Sequence, residues 1–265
     1  MRRARINPGR VVSFLPNVIT TASLCFGLLS VGLSVQVAAA GASADADIVW
    51  RAAAFIAVSM VLDMLDGRIA RALGVADNRF GVIYDSLSDA ICFGLAPPLL
   101  VYSLLGGSHS GPLLNIGLLI YVVCAVMRLA RFNVQSSSLE KRSFMGLPSP
   151  MAAGVMISPV FVATELGMFP LSGEMAVFYA VAAPLTGFFM VSGVRYRKAG
   201  FFSFGGKRFD FLVTTSVLIA VVAVNPGLSV AAVSSLYLLS GPALFALGRL
   251  RRRGGNRGGE TEKAG

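Results

Sequence analysis

Residues 48–70, IVWRAAAFIAVSMVLDMLDGRIA, and residues 82–105, VIYDSLSDAICFGLAPPLLVYSLL, decide how this chain is read. Each is an apolar run long enough to cross a bilayer as a helix, which takes roughly 20 residues. Each also carries two aspartates toward one end: Asp63 and Asp66 in the first, Asp85 and Asp89 in the second. An aspartate within a span costs roughly 2.5–3.5 kcal/mol on insertion scales, so four of them in two neighbouring segments point to function. Spacings of three and four put each pair on one helix face. An antiparallel hairpin of the two segments then brings all four carboxylates to similar depth. Charges that close need compensation. Divalent cations supply it, and an oxygen-only ligand set without His or Cys suits Mg²⁺, Mn²⁺ or Ca²⁺. A pair of such ions is the usual clamp for phosphoryl oxygens.

The rest of the chain agrees with a membrane setting. Of 265 residues, 55% are hydrophobic and 14% charged, where a soluble domain has about a quarter charged. Eight spans are expected, near 14–38, 48–70, 82–105, 113–133, 149–167, 174–193, 209–225 and 229–249. Continuous apolar runs, without the alternation of barrel strands, predict an all-α polytopic membrane protein. Residues 1–250 form one integral membrane catalytic domain. Residues 251–265 form a basic, Gly-rich tail expected to be disordered.

Lys and Arg set the orientation. All 23 except Arg51 fall at the N-terminus, in the 2–3, 4–5 and 6–7 connections, or in the tail. This predicts a multi-pass protein of the cell (inner) membrane with both termini and the acids at the cytoplasmic face. Arg51 beside Trp50 reads as an interfacial pair. Insertion and anionic headgroups account for the formal charge of +10, which argues against nucleic acid as a partner. The first apolar run exceeds the core of a cleavable leader and reads as a retained span. Cys25, Cys92 and Cys124 lie within spans without a CxxC and read as small buried hydrophobes. The single His109 sits in an outer loop and reads as no ligand. Nine further acids, from Asp45 and Asp47 to Glu260 and Glu262, fall in connections, tails or span ends and are expected to be solvated.

The residues between the acids fit phosphate chemistry. Gly67 leaves the backbone open beside Asp66. Ala70 is small, and Arg71, one turn on, can pair with a carboxylate or a phosphate. Gly81 lies one turn before Asp85. The glycines serve helix packing equally well. In sum, Asp63, Asp66, Gly67, Ala70, Arg71, Gly81, Asp85 and Asp89 occupy eight set positions in 27 residues. This arrangement resembles the signature of the CDP-alcohol phosphatidyltransferases, integral membrane enzymes of phospholipid synthesis. The resemblance implies a six-helix core with a polar cavity open to the cytoplasm, the two extra spans lying at the C-terminal end. It implies Asp63, Asp66 and Asp85 as metal ligands for Mg²⁺ or Mn²⁺, two ions in all. Asp89 becomes the catalytic base and a further metal contact, with Gly67, Ala70, Arg71 and Gly81 shaping the CDP site. A homodimer is the assembly it suggests.

Three further stretches extend the resemblance. Residues 16–20, PNVIT, open the first span, where Asn17 and Thr20 either face the nucleotide or cap the helix. Residues 128–133, RLARFN, and 146–150, GLPSP, resemble the phosphatidylserine-forming branch of the family, implicating Arg128, Arg131, Asn133 and Ser149 in substrate binding. Arg128 and Arg131 share a helix face and can hold a phosphate or a carboxylate in bidentate fashion, or simply mark topology. The branch implies CDP-diacylglycerol and L-serine as substrates and phosphatidylserine and CMP as products. Rival readings are the same chemistry with glycerol 3-phosphate, inositol phosphate or choline, and a cation transporter built on the acids. Against the transporter, the two halves show no internal repeat, and the acids lie near one membrane face.

Overall fold

The computed structural model describes residues 8–74, 79–106, 111–136, 146–169, 173–193 and 225–241. Every regular element among them is helical. The chain runs α1 (Pro8–Ala40), a 3-10 turn (Gly41–Ser43), α2 (Ala46–Ala72), α3 (Arg79–Asp89), a π-helical turn (Ala90–Leu95), α4 (Ala96–Leu105), α5 (Pro112–Ser136), α6 (Ser149–Glu165) and α7 (Gly173–Val191). A last helix, α8, covers Pro226–Gly241. α3, the π turn and α4 form one unbroken rod over Arg79–Leu105.

Among the described residues, five helices are long and apolar enough to cross a membrane: Leu15–Ala40, Ala46–Ala72, Arg79–Leu105, Pro112–Val134 and Gly173–Val191. These match the first four expected spans and the sixth, and the chain is an integral multi-pass membrane protein. The fifth expected span is α6, only 17 residues long, and ten of these are buried. It is a central helix, touching α2, α4 and α7. The eighth expected span begins at Pro226, three residues early, and is followed here to Gly241. The seventh span, apart from Asn225, the tail at 251–265, His109 and most of the basic residues that orient the chain lie outside the described residues.

Prolines shape this bundle, and each leaves a backbone carbonyl without its N–H partner four residues on. In a membrane that carbonyl must find another donor. Pro97 and Pro98 deprive Phe93 and Gly94. The helix responds by widening, so that Ala96 N–H donates to Ile91 O, five residues back. The buried Tyr121 hydroxyl of α5 donates to Phe93 O at 2.9 Å. Pro159 deprives Val155, whose carbonyl accepts from Ser158 Oγ at 3.3 Å. Pro184 deprives Ala180, and Gly117 of α5 brings its bare Cα to that carbonyl, where a Cβ would stand 2.9 Å away.

Small residues bring the acid-bearing helices together. Ser23 and Ser59 exchange hydrogen bonds with each other's carbonyls at 3.1 and 2.8 Å, clasping α1 to α2. Gly27 admits Cys92 of the π turn, whose Sγ leaves no room for a Cβ there. This is the close helix approach that small residues permit without a hydrophobic drive between helices. Cys92 and Cys124 are buried as expected, but Cys25 is exposed on the outer face of α1. Trp50 meets Phe161 of α6 edge-on at 6.0 Å. Arg51 donates to Asp47 O.

Replacing Tyr121 by Phe removes the hydroxyl donor and keeps the ring. The orphaned Phe93 carbonyl then costs about 1–3 kcal/mol of stability. A lowered unfolding temperature in detergent is the expected result; an unchanged one would show that the π turn needs no outside donor.

Candidate active site

The hairpin of α2 and α3 brings the acids together as their spacing predicts. Asp63, Asp66 and Asp85 each offer a carboxylate oxygen, and these oxygens all lie within 4.8 Å of one another. Asp66 is only 5% exposed, and Asp63 and Asp85 are half-buried. All three donors are hard oxygens at separations that one cation can bridge, so the triad fits Mg²⁺ or Mn²⁺. Asp89 stands outside this triad. Its carboxyl lies within hydrogen-bonding reach of Asp63 and also accepts from Ser149 Oγ at 3.4 Å.

Helix α1 supplies the orienting contact. Thr20 Oγ1 donates to Asp66 Oδ2 at 2.6 Å and lies 3.1 Å from Pro16 O. This pins one oxygen of Asp66, as outer-shell donors commonly do for ligating carboxylates. Thr20 is therefore neither a cap nor a free side chain. Asn17 lies inside α1, because the helix begins at Pro8, so the capping alternative for Asn17 falls. Its carbonyl accepts from Thr21 Oγ1 at 2.7 Å. Thr21 Oγ1 also meets the Tyr84 hydroxyl at 2.9 Å, which ties α1 to α3 beside Asp85. That pair has no signature in the sequence, since 63 residues separate its members.

Gly67 has nothing within 4 Å of where a Cβ would be, so helix packing does not explain it. The space beside Asp66 is open. Ala70 and Gly81 are half-buried, and Arg71 is exposed in the last turn of α2.

The two arginines of α5 part company. Arg128 turns into the bundle, donates from Nη1 to Ser149 Oγ at 2.5 Å and lies in electrostatic reach of Asp89 and Asp63. Arg131 donates to Val191 O at the end of α7, at 3.3 Å. Asn133 accepts from Ser86 Oγ at 3.0 Å, one residue beyond Asp85. Ser149, fully buried, links Arg128 to Asp89. It is held there by the turn before α6. Gly146 at φ +91° reverses the chain, and Leu147 N–H donates to Phe189 O at 3.0 Å.

A carboxylate triad with a half-buried Arg–Ser–Asp chain beside it is a set of groups able to hold a divalent cation and an anionic substrate group. The comparisons agree. The sequence profile of the CDP-alcohol phosphatidyltransferases matches residues 13–191, over two thirds of the chain, and the chain belongs to this family. It is therefore a CDP-alcohol phosphatidyltransferase, and its family implies CDP-diacylglycerol and an alcohol acceptor as substrates. The chain is 30% identical over 241 residues to a CDP-diacylglycerol–serine O-phosphatidyltransferase of Helicobacter pylori, covering 89% of this chain and 91% of that one. It is 30% identical over 169 residues to a protein of the same name from Methanocaldococcus jannaschii, covering 64% and 72%. An archaetidylserine synthase of Methanothermobacter thermautotrophicus is 34% identical over 196 residues, covering 73% and 74%.

Thr20→Val keeps the shape of the side chain and removes its donor to Asp66. The expected result is a 10–100-fold rise in the Mn²⁺ concentration giving half-maximal activity, the usual cost of losing such a partner. An unaltered metal requirement would show that the hydroxyl is idle.

Proposed function

We propose that this chain transfers the phosphatidyl group of CDP-diacylglycerol to L-serine, releasing CMP, from a site facing the cytoplasm. The observation that carries the reading is the chain Arg128–Ser149–Asp89, centred on the buried Ser149 and joined at Asp89 to the carboxylate cluster. It places a fixed positive charge next to a carboxylate able to take a proton. A serine acceptor needs both, one for its carboxylate and one for its hydroxyl. The serine in the relatives' names and the RLARFN and GLPSP stretches support the same choice.

In this reading Arg128 binds the carboxylate of serine through two parallel N–H groups. Ser149 fixes the guanidinium and keeps Asp89 aimed at the hydroxyl. Asp89 takes the hydroxyl proton as the serine oxygen bonds to the β-phosphorus. The bond from that phosphorus to the bridging oxygen breaks, and CMP departs with the electron pair. Gly67 gives the diphosphate access to the backbone, with Ala70, Arg71 and Gly81 around the nucleotide and Asn17 facing it. Asn133 holds α3 against α5, and Arg131 adds positive charge at the same end of the bundle. Asp63, Asp66 and Asp85, with Asp89 as a further contact, would hold Mg²⁺ or Mn²⁺, two ions in all, whose charge would offset that of the diphosphate.

The deciding experiment measures CMP release from CDP-diacylglycerol with serine, glycerol 3-phosphate, inositol phosphate and choline in turn. Serine is the acceptor expected to be turned over. Faster release with any other would replace serine while leaving the family chemistry in place. Asp89→Asn should lower kcat by at least about 10²-fold, the lower end for loss of a general base, with an unchanged unfolding temperature. Near-normal turnover in that variant would remove Asp89 from the proton-transfer step.

A further inference from the structure

Helix α8 lies beyond residue 191, where the family match ends, yet it is seated against the catalytic bundle. At one end, Gly227 N–H donates to Glu165 Oε1 of α6 at 3.1 Å, and Asn225 Oδ1 caps the helix by accepting from Leu228 N–H. Further along, Gly154 of α6 meets Ser234 so closely that a Cβ would collide with Ser234 Oγ. α8 therefore runs antiparallel to α6, and its C-terminal half approaches the end of α6 that carries Ser149. Tyr237 is three residues past Ser234, on the same helix face. Ser149 is five residues before Gly154 on α6, so the two lie at similar depth. Tyr237 is half-buried against the core, and its hydroxyl is within electrostatic reach of the Arg128 guanidinium.

Arg128 is also near the Tyr121 hydroxyl, but that group donates to Phe93 O. Ser149 anchors Arg128 from α6. A guanidinium on a long side chain has several donors and needs more than one contact to hold a bidentate pose. The members of this family share the CDP-dependent chemistry and differ in the acceptor. A residue reaching Arg128 from outside the shared region is well placed to set which acceptor is used. The similarity to the Helicobacter pylori protein covers 89% of the chain, so it extends well past residue 191.

We propose that Tyr237 is a positioning residue for acceptor recognition, fixing the Arg128 guanidinium from α8 so that it receives the anionic group of the acceptor. This rests on the reading of Arg128 given above. The test is steady-state kinetics on the full chain carrying Tyr237→Phe, which keeps the ring and its packing. At saturating CDP-diacylglycerol, the acceptor KM should rise about tenfold, the worth of one hydrogen bond to a charged group. The KM for CDP-diacylglycerol, kcat and the unfolding temperature should stay as in the wild type. An unchanged acceptor KM would overturn the proposal. So would a rise in both KM values together with a lower unfolding temperature, which marks a packing role alone. The wild type is first run on the acceptor panel, and KM is measured on whichever acceptor it uses. A wild type that prefers a different anionic acceptor defeats the serine reading and leaves Tyr237 to be judged on that acceptor. A wild type that uses only choline, the one acceptor of the panel without an anionic group, defeats both.

Discussion

Four carboxylates inside a helical membrane bundle are the constraint on which this structure turns. None of them can remain uncompensated at that depth. The fold meets the demand by concentrating them at one place, where one guanidinium and two hydroxyls serve the set and three of the carboxylates are spaced to share a cation. Thr20 comes from α1, Ser149 from α6 and Arg128 from α5, each reaching inward to the α2–α3 hairpin. The arrangement explains why α1 must approach α2 closely, and hence the reciprocal Ser23–Ser59 bonds. It also explains why a short, mostly buried α6 suits the centre: its first residue is part of the site.

Much of this is legible in the amino-acid order because membrane proteins obey few rules strictly. Backbone satisfaction forces helices, and apolar length marks where they run; α1, α2, the Arg79–Leu105 rod, α5 and α7 lie close to where hydropathy puts them. The spacing of Asp63, Asp66 and Asp85 is local, and a helix converts it directly into a shared face. What the order of residues conceals is relational. Arg128 and Arg131 look equivalent by spacing, but a small difference in rotation sends one to Ser149 and the other to the end of α7. Asn17 looks like a helix start because Pro16 precedes it, and the helix runs through that proline all the same. Ser149 gains its position from a turn whose contacts come from α7, about forty residues away. The Thr21–Tyr84 bond has no local trace at all.

The division of labour within the site follows its geometry. The triad and the open backbone at Gly67 lie on α2 and α3, within the stretch whose pattern is fixed most tightly by spacing. The Arg128–Ser149 pair lies on helices that come later in the chain. On the function proposed above, the hairpin carries the metal and diphosphate chemistry, and the helices packed behind it carry the choice of alcohol.

The π turn after Asp89 has a consequence for how a single rod can face two environments. One turn of that kind holds an added residue, and each residue of an α-helix rotates the face by about 100°. Before it, α3 exposes a stripe through Phe80, Ile83 and Leu87 while offering its acids to the bundle. After it, α4 is enclosed on almost every side, with Ala96, Leu100, Val101 and Leu105 in the core. The widened turn is a phase shift in the helix, and it frees the polar half from the packing register of the apolar half. Loss of one residue between Ala90 and Leu95 would restore an even pitch and turn Asp85 and Asp89 away from Asp63 and Asp66, although every acid would still be present.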